Sequence, residues 1–76
     1  MRTYIKRIKS ATTKSELTEI TYEAFKSGKI TLKQYDDLVA YALCREIELG
    51  IWPFLDKYTS KETAIKEAER QFKIKY

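Results

Sequence analysis

The chain has no histidine, one cysteine, one proline, two glycines and one tryptophan among its 76 residues. Each shortage removes a class of protein. Without histidine there is no Ser-His-Asp or Cys-His nucleophile, no usual zinc set, and none of the side chains that titrate near neutrality unperturbed. With Cys44 alone, neither an intrachain disulfide framework nor a thiolate metal cluster can form. So few turn residues argue against a many-stranded sheet. No apolar run reaches the length of a membrane span, and none is expected. The stretch Met1-Arg2-Thr3-Tyr4-Ile5-Lys6-Arg7 lacks the apolar core of a signal peptide, so the reading places the protein in the cytosol. No enzyme, cofactor or metal centre is expected.

What remains is 43% hydrophobic and 34% charged, too apolar for disorder and short enough for one domain, residues 1–76. A folded chain of this size buries only about 60% of the surface it exposes when unfolded, which leaves little room for a deep cleft. The periodicity throughout is helical. The expected fold is all-α: a small bundle of three main helices, about 14–27, 32–49 and 60–73, with a short basic helix before them.

The helix boundaries are the clearest signals. Ser27-Gly28-Lys29-Ile30-Thr31-Leu32-Lys33-Gln34-Tyr35 holds a stop and a start together. Gly28 can close a helix in the left-handed conformation because no Cβ opposes it. Thr31 fits an N-cap with Gln34 as its capping-box partner, and Ile30 and Tyr35 occupy the hydrophobic-staple positions. Thr13-Lys14-Ser15-Glu16 and Thr59-Ser60-Lys61-Glu62 repeat the capping-box spacing. The Gly28–Leu38 string resembles the short helix-pair joints of small bacterial and phage proteins, including the SHOCT-type helical hairpin. That resemblance implies a hairpin and transfers no site residue. An αα-hairpin is favoured over a DNA-reading helix–turn–helix, since Asp36 and Asp37 would face phosphates and Lys29 follows the turn glycine where an apolar residue is needed.

Leu17, Ile20, Thr21, Ala24 and Phe25 share one face of the first long helix, and Tyr35, Leu38, Val39, Ala42, Leu43 and Leu49 share one face of the second. The middle of that second helix, Leu38–Cys44, is apolar nearly all round, which suits the centre of a bundle or a self-association interface. Ile51-Trp52-Pro53-Phe54-Leu55 reads as an aromatic connector closing one end of the core, with a short helical turn over 53–58. Ala64, Ile65, Ala68 and Phe72 form the buried stripe of the last helix, and residues 73–76 are expected to fray.

The formal net charge of +4 is an average over unlike parts. Residues 1–14 carry five cations and no acid, residues 15–50 net −3, and residues 51–76 net +2. Arg2, Lys6, Arg7 and Lys9 are therefore the candidate contacts for nucleic acid or another polyanion, set against the alternative of a solvated helix face. If all four met phosphates, log affinity would fall with log salt at a slope of about −3.6. Glu46 falls inside the apolar arc and needs a partner there, a tyrosine hydroxyl or a lysine from the N-terminal segment, unless it is itself a contact residue. Cys44 reads as a small buried residue without an activating neighbour.

Ten aromatic residues are more than so small a core can cover, so Tyr22, Tyr41 and Tyr58 are expected at the surface. The function ranked first is a non-catalytic, phage-like interaction or regulatory protein. It would bind a protein partner or itself through Ala40, Tyr41, Cys44 and Ile47, with Tyr22 nearby. The alternative is a nucleic-acid-binding accessory protein using the basic segment.

Overall fold

A computed structural model describes residues 1–76. It holds four α-helices and no strand: α1 (Arg2–Ser10), α2 (Lys14–Ser27), α3 (Leu32–Leu49) and α4 (Lys61–Phe72), with one 3-10 turn at Leu55–Lys57. The hairpin boundaries at 14–27 and 32–49 fall where the capping chemistry puts them. Thr31 Oγ1 accepts the Gln34 N–H while the Gln34 side chain accepts the Thr31 N–H, a complete capping box. Gly28 and Gly50 end α2 and α3 at φ 67° and 75°, values a Cβ would strain.

The other two boxes are variants of the expected form. Thr13 accepts the Glu16 N–H, but the Glu16 carboxylate takes the Thr12 hydroxyl at 2.9 Å. The last helix starts from Ser60 rather than Thr59: Ser60 Oγ accepts the Thr63 N–H, and α4 begins at Lys61. A hydroxyl one residue nearer the helix leaves Glu62 free to pair with Lys66.

α3 is the axis of the molecule, packed by α1, α2 and α4. Its apolar residues divide into stripes at helical spacing. Leu38 and Ala42 join Ile8, Ala11, Leu17, Ile20 and Ala24 in one cluster between α1, α2 and α3. Burial of each large member contributes roughly 1.5–3 kcal/mol. Ala40, Cys44 and Ile47, spaced i, i+4 and i+7, are fully buried on the side of Ala64 and Ala68 of α4. Small residues there let two helix backbones approach closely. α1 is a working member of the bundle rather than an appendage, since its Ile8 has no exposed surface.

Two expectations at the far end are corrected. Trp52 stacks edge-on against Phe54 at 5.7 Å and lies 5.8 Å from Tyr58, so the connector's aromatics pack on one another and leave Phe54 half exposed. They form a surface corner instead of closing the core. Phe72 is partly exposed, because α4 ends there and Lys73, at φ 56°, turns the chain away. The following residues fold back on the bundle instead of trailing free: Tyr76 is anchored to three helices, as described below.

Candidate functional site

Three of the five residues expected to form a docking face are inside the protein. Ala40, Cys44 and Ile47 have no exposed surface, because α4 lies directly on that side of α3. Tyr41 is half-buried, its hydroxyl donating to the Lys75 backbone oxygen at 3.1 Å. Tyr22 alone stands out, 60% exposed with the Lys26 ammonium 5.5 Å from its ring centroid. The face proposed from sequence is thus a helix–helix seam. The error has a simple cause: an all-round apolar helix has several candidate outer faces, and the pattern does not say which one a neighbour takes.

The side of α3 left without a helix carries Leu32, Tyr35, Val39, Leu43 and Glu46, of which Tyr35, Val39 and Leu43 belong to the apolar face expected to pack inward. Leu32 is 77% exposed and Val39 40% exposed. Together with Lys14, Leu17, Thr18 and Thr21 of α2, the Tyr35–Glu46 stretch lines a groove of about 330 Å³. At one end Phe25, 57% exposed, meets Tyr35 with ring centroids 5.3 Å apart. At the other end Lys14 Nζ donates to Glu46 Oε1 at 2.9 Å. This is the lysine partner expected for Glu46, and it lets the carboxylate sit at the groove floor without an unpaired buried charge. The antiparallel hairpin brings these ends into register, since α2 begins beside the end of α3. Ile20 and Leu38 below the floor hold the two helices together.

The basic segment is partly spent on the fold. Arg7 pairs with Glu23 of α2. Lys9 Nζ donates to the Tyr76 backbone oxygen at 3.1 Å and lies 4.9 Å from the Tyr76 ring centroid. Arg2 and Lys6 remain exposed with no ion pair, on the same flank of α1 as Lys9.

A polar network on the opposite flank of α3 escaped the sequence reading. Arg45 Nε donates to the Ala11 backbone oxygen at 2.8 Å, and its guanidinium reaches Glu48 at 2.9 Å. Glu48 in turn accepts the Tyr76 hydroxyl at 2.5 Å. That hydrogen bond and the Arg45 charge hold the Glu48 carboxyl below its usual range, against a smaller opposing effect of burial. Burial first, then the Glu48 contact, pushes the Tyr76 phenol well above its ordinary value. Burial also raises the Cys44 thiol to about 11, helped by the Glu69 and Glu48 charges. A thiol so raised is protonated at neutral pH and a poor nucleophile. The i, i+3 pair Arg45/Glu48 was visible in sequence, but nothing local announced that Tyr76 would complete it. No group of three or more metal-ligating side chains comes together, and no helix is long and apolar enough to cross a membrane. The chain matches no protein-family model, no curated protein and no solved structure.

Proposed function

We propose that this is a non-catalytic interaction protein that binds a protein partner, or a second copy of itself, through the open face of the α2–α3 hairpin. The observation that carries this is the unclosed side of α3. A central helix packed by α1, α2 and α4 presents Leu32 and Val39 outward on its remaining side, with the half-buried Leu43 beside them and the Phe25–Tyr35 pair at one end. Aromatic residues beside an apolar groove contribute large contact area at low entropic cost, and their clustering is characteristic of interfaces. The site replaces the Ala40–Ile47 face, which is filled by α4.

Val39→Asp tests it. A carboxylate at the groove centre should abolish partner capture, or dimerisation in sedimentation runs across a concentration series. It should leave the helical circular dichroism and melting transition in place. Phe54→Ala, at the separate aromatic corner, should bind like the wild type. Equal loss of binding in both variants, or none in Val39→Asp, would remove the groove as the site.

The two unpaired cations of α1, Arg2 and Lys6, support a second reading, weak contact with nucleic acid. With only Arg2 and Lys6 free, the salt slope would be about −1.8 rather than the −3.6 of four contacts. A fluorescence titration of single- and double-stranded oligonucleotides at two salt concentrations decides it: salt-independent or absent binding ends this reading.

A further inference from the structure

Residues Lys73–Tyr76 cross the molecule as a strap. Tyr76 N–H donates to Glu69 Oε2 of α4 at 2.7 Å, its hydroxyl donates to Glu48 of α3, and its backbone oxygen accepts from Lys9 of α1. Tyr41 of α3 donates to the Lys75 backbone oxygen, and its ring centroid lies 6.2 Å from that of Tyr76. Four residues therefore reach all three helices that border this side. Their anchors surround Cys44, which lies one turn before Glu48 and has no exposed surface. Glu48, Glu69 and Lys9, the groups whose charges bear on the thiol, are the same groups that hold the strap.

The strap begins at the one non-glycine residue with positive φ, Lys73 at φ 56° and ψ 45°. For an L-residue with a Cβ this left-handed conformation is strained. Releasing the strap relieves it, for Lys73 can then take helical angles and continue α4. The closed form is held by polar contacts at its edges and by the Ile74 N–H, which donates to the Glu69 backbone oxygen at 3.1 Å; the left-handed Lys73 backbone is what opposes them. Two discrete arrangements of one short segment, with opposing preferences, are what a bistable element requires.

We propose that Lys73–Tyr76 is a hinged strap that opens about Lys73, without unfolding of the bundle, and uncovers the Tyr41 ring and the Cys44 thiol between α1 and α4. Cys44 serves as the reporter, being the only thiol in the chain.

The test is the rate at which a neutral aromatic disulfide modifies Cys44 at mildly alkaline pH in the full chain, measured across low denaturant concentrations. The wild type should react by a route with a much smaller denaturant dependence than global unfolding. Tyr76→Ala removes the contact to a charged acceptor and should speed the reaction on the order of ten- to a hundredfold. Lys73→Gly relaxes the strain in the closed form and should slow it several-fold. These opposite effects distinguish a hinge from simple loss of packing. Tyr76→Phe, which keeps the ring and loses only the hydroxyl contact, provides an intermediate rate if Tyr76→Ala proves poorly folded. The proposal is overturned if wild-type modification follows the denaturant slope of global unfolding, or if the variants change rate and global stability by the same factor.

Discussion

Toward α1 and α2, the central helix α3 sets Leu38 and Ala42 against Ile8, Leu17 and Ile20; toward α4, it sets Ala40, Cys44 and Ile47 against Ala64 and Ala68. The first side is made of volume. Its large side chains bury apolar area and supply most of the hydrophobic driving force. The second side is made of proximity. Apart from Ile47, its members are small and bury little area each, and what they supply is close approach of two backbones, supplemented by the polar strap that ties α4 to α1 and α3. The two sides should therefore fail in opposite ways, the first when side chains shrink and the second when they grow.

The largest effect is expected at Leu38, which has no exposed surface. Leu38→Ala should cost about 2–5 kcal/mol in chemical denaturation, the range for deleting a buried leucine side chain and leaving a cavity. A chain of this size has only about 3–5 kcal/mol from its core, so the variant should be largely unfolded by circular dichroism at 37 °C. A well-folded Leu38→Ala would mean that α3 can slide to fill the space, and that the cluster is less committed than its burial indicates.

Alkaline pH should probe the second side next. The Cys44 thiol has its folded pKa raised from 9.0 to about 11, so its neutral form is the one the fold prefers. A raised folded pKa contributes stability that is complete below the unfolded value and is lost as pH rises through the folded one. The window is thus pH 9 to 11. The loss across it is about 2–3 kcal/mol at 1.36 kcal/mol per pH unit. Tyr76, raised for the same reason, adds to the decline above pH 10. Lysine deprotonation also enters this range, so the measurement is a difference: the stability of Cys44→Ala should fall less steeply than that of the wild type between pH 9 and 11. Parallel curves would show that Cys44 reaches water without opening the seam.

The same contrast explains what could be read from the sequence. Every α-helix boundary written in capping residues was legible to within about a residue, because Thr13, Thr31, Gly28 and Gly50 act on their immediate neighbours. The cluster members Leu17, Ile20, Ala24 and Leu38 were legible too, as stripes of apolar residues at helical spacing. The seam was not. Ala40, Cys44 and Ile47 carry the same pattern whether a fourth helix or a partner covers them, and the choice depends on where α4 lands after the Trp52–Tyr58 corner. That choice is tertiary, and it moved the candidate docking face from the Ala40 side of α3 to the Val39 side. The strap was illegible for a related reason. Lys73-Ile74-Lys75-Tyr76 has no local reason to leave the helix, and its partners Lys9, Tyr41 and Glu48 lie 28 to 67 positions away.

Ala68→Leu makes the second side resemble the first, and its effect should be smaller than that of Leu38→Ala but of a different kind. Added methylenes at a close helix contact force backbones apart, at a cost of about 1–3 kcal/mol. Because Ala68 is buried against α3 while Glu69 anchors the strap one residue later, the displacement should reach Tyr76 as well. Loss of stability should therefore come with faster Cys44 modification, whereas a cavity in the α1–α2 cluster loosens the whole bundle without singling out the thiol. If Ala68→Leu is stable and leaves the thiol protected, the seam has room for large side chains. Its small residues would then not be what sets the α3–α4 distance, and the division of the core into a side of volume and a side of proximity would fail.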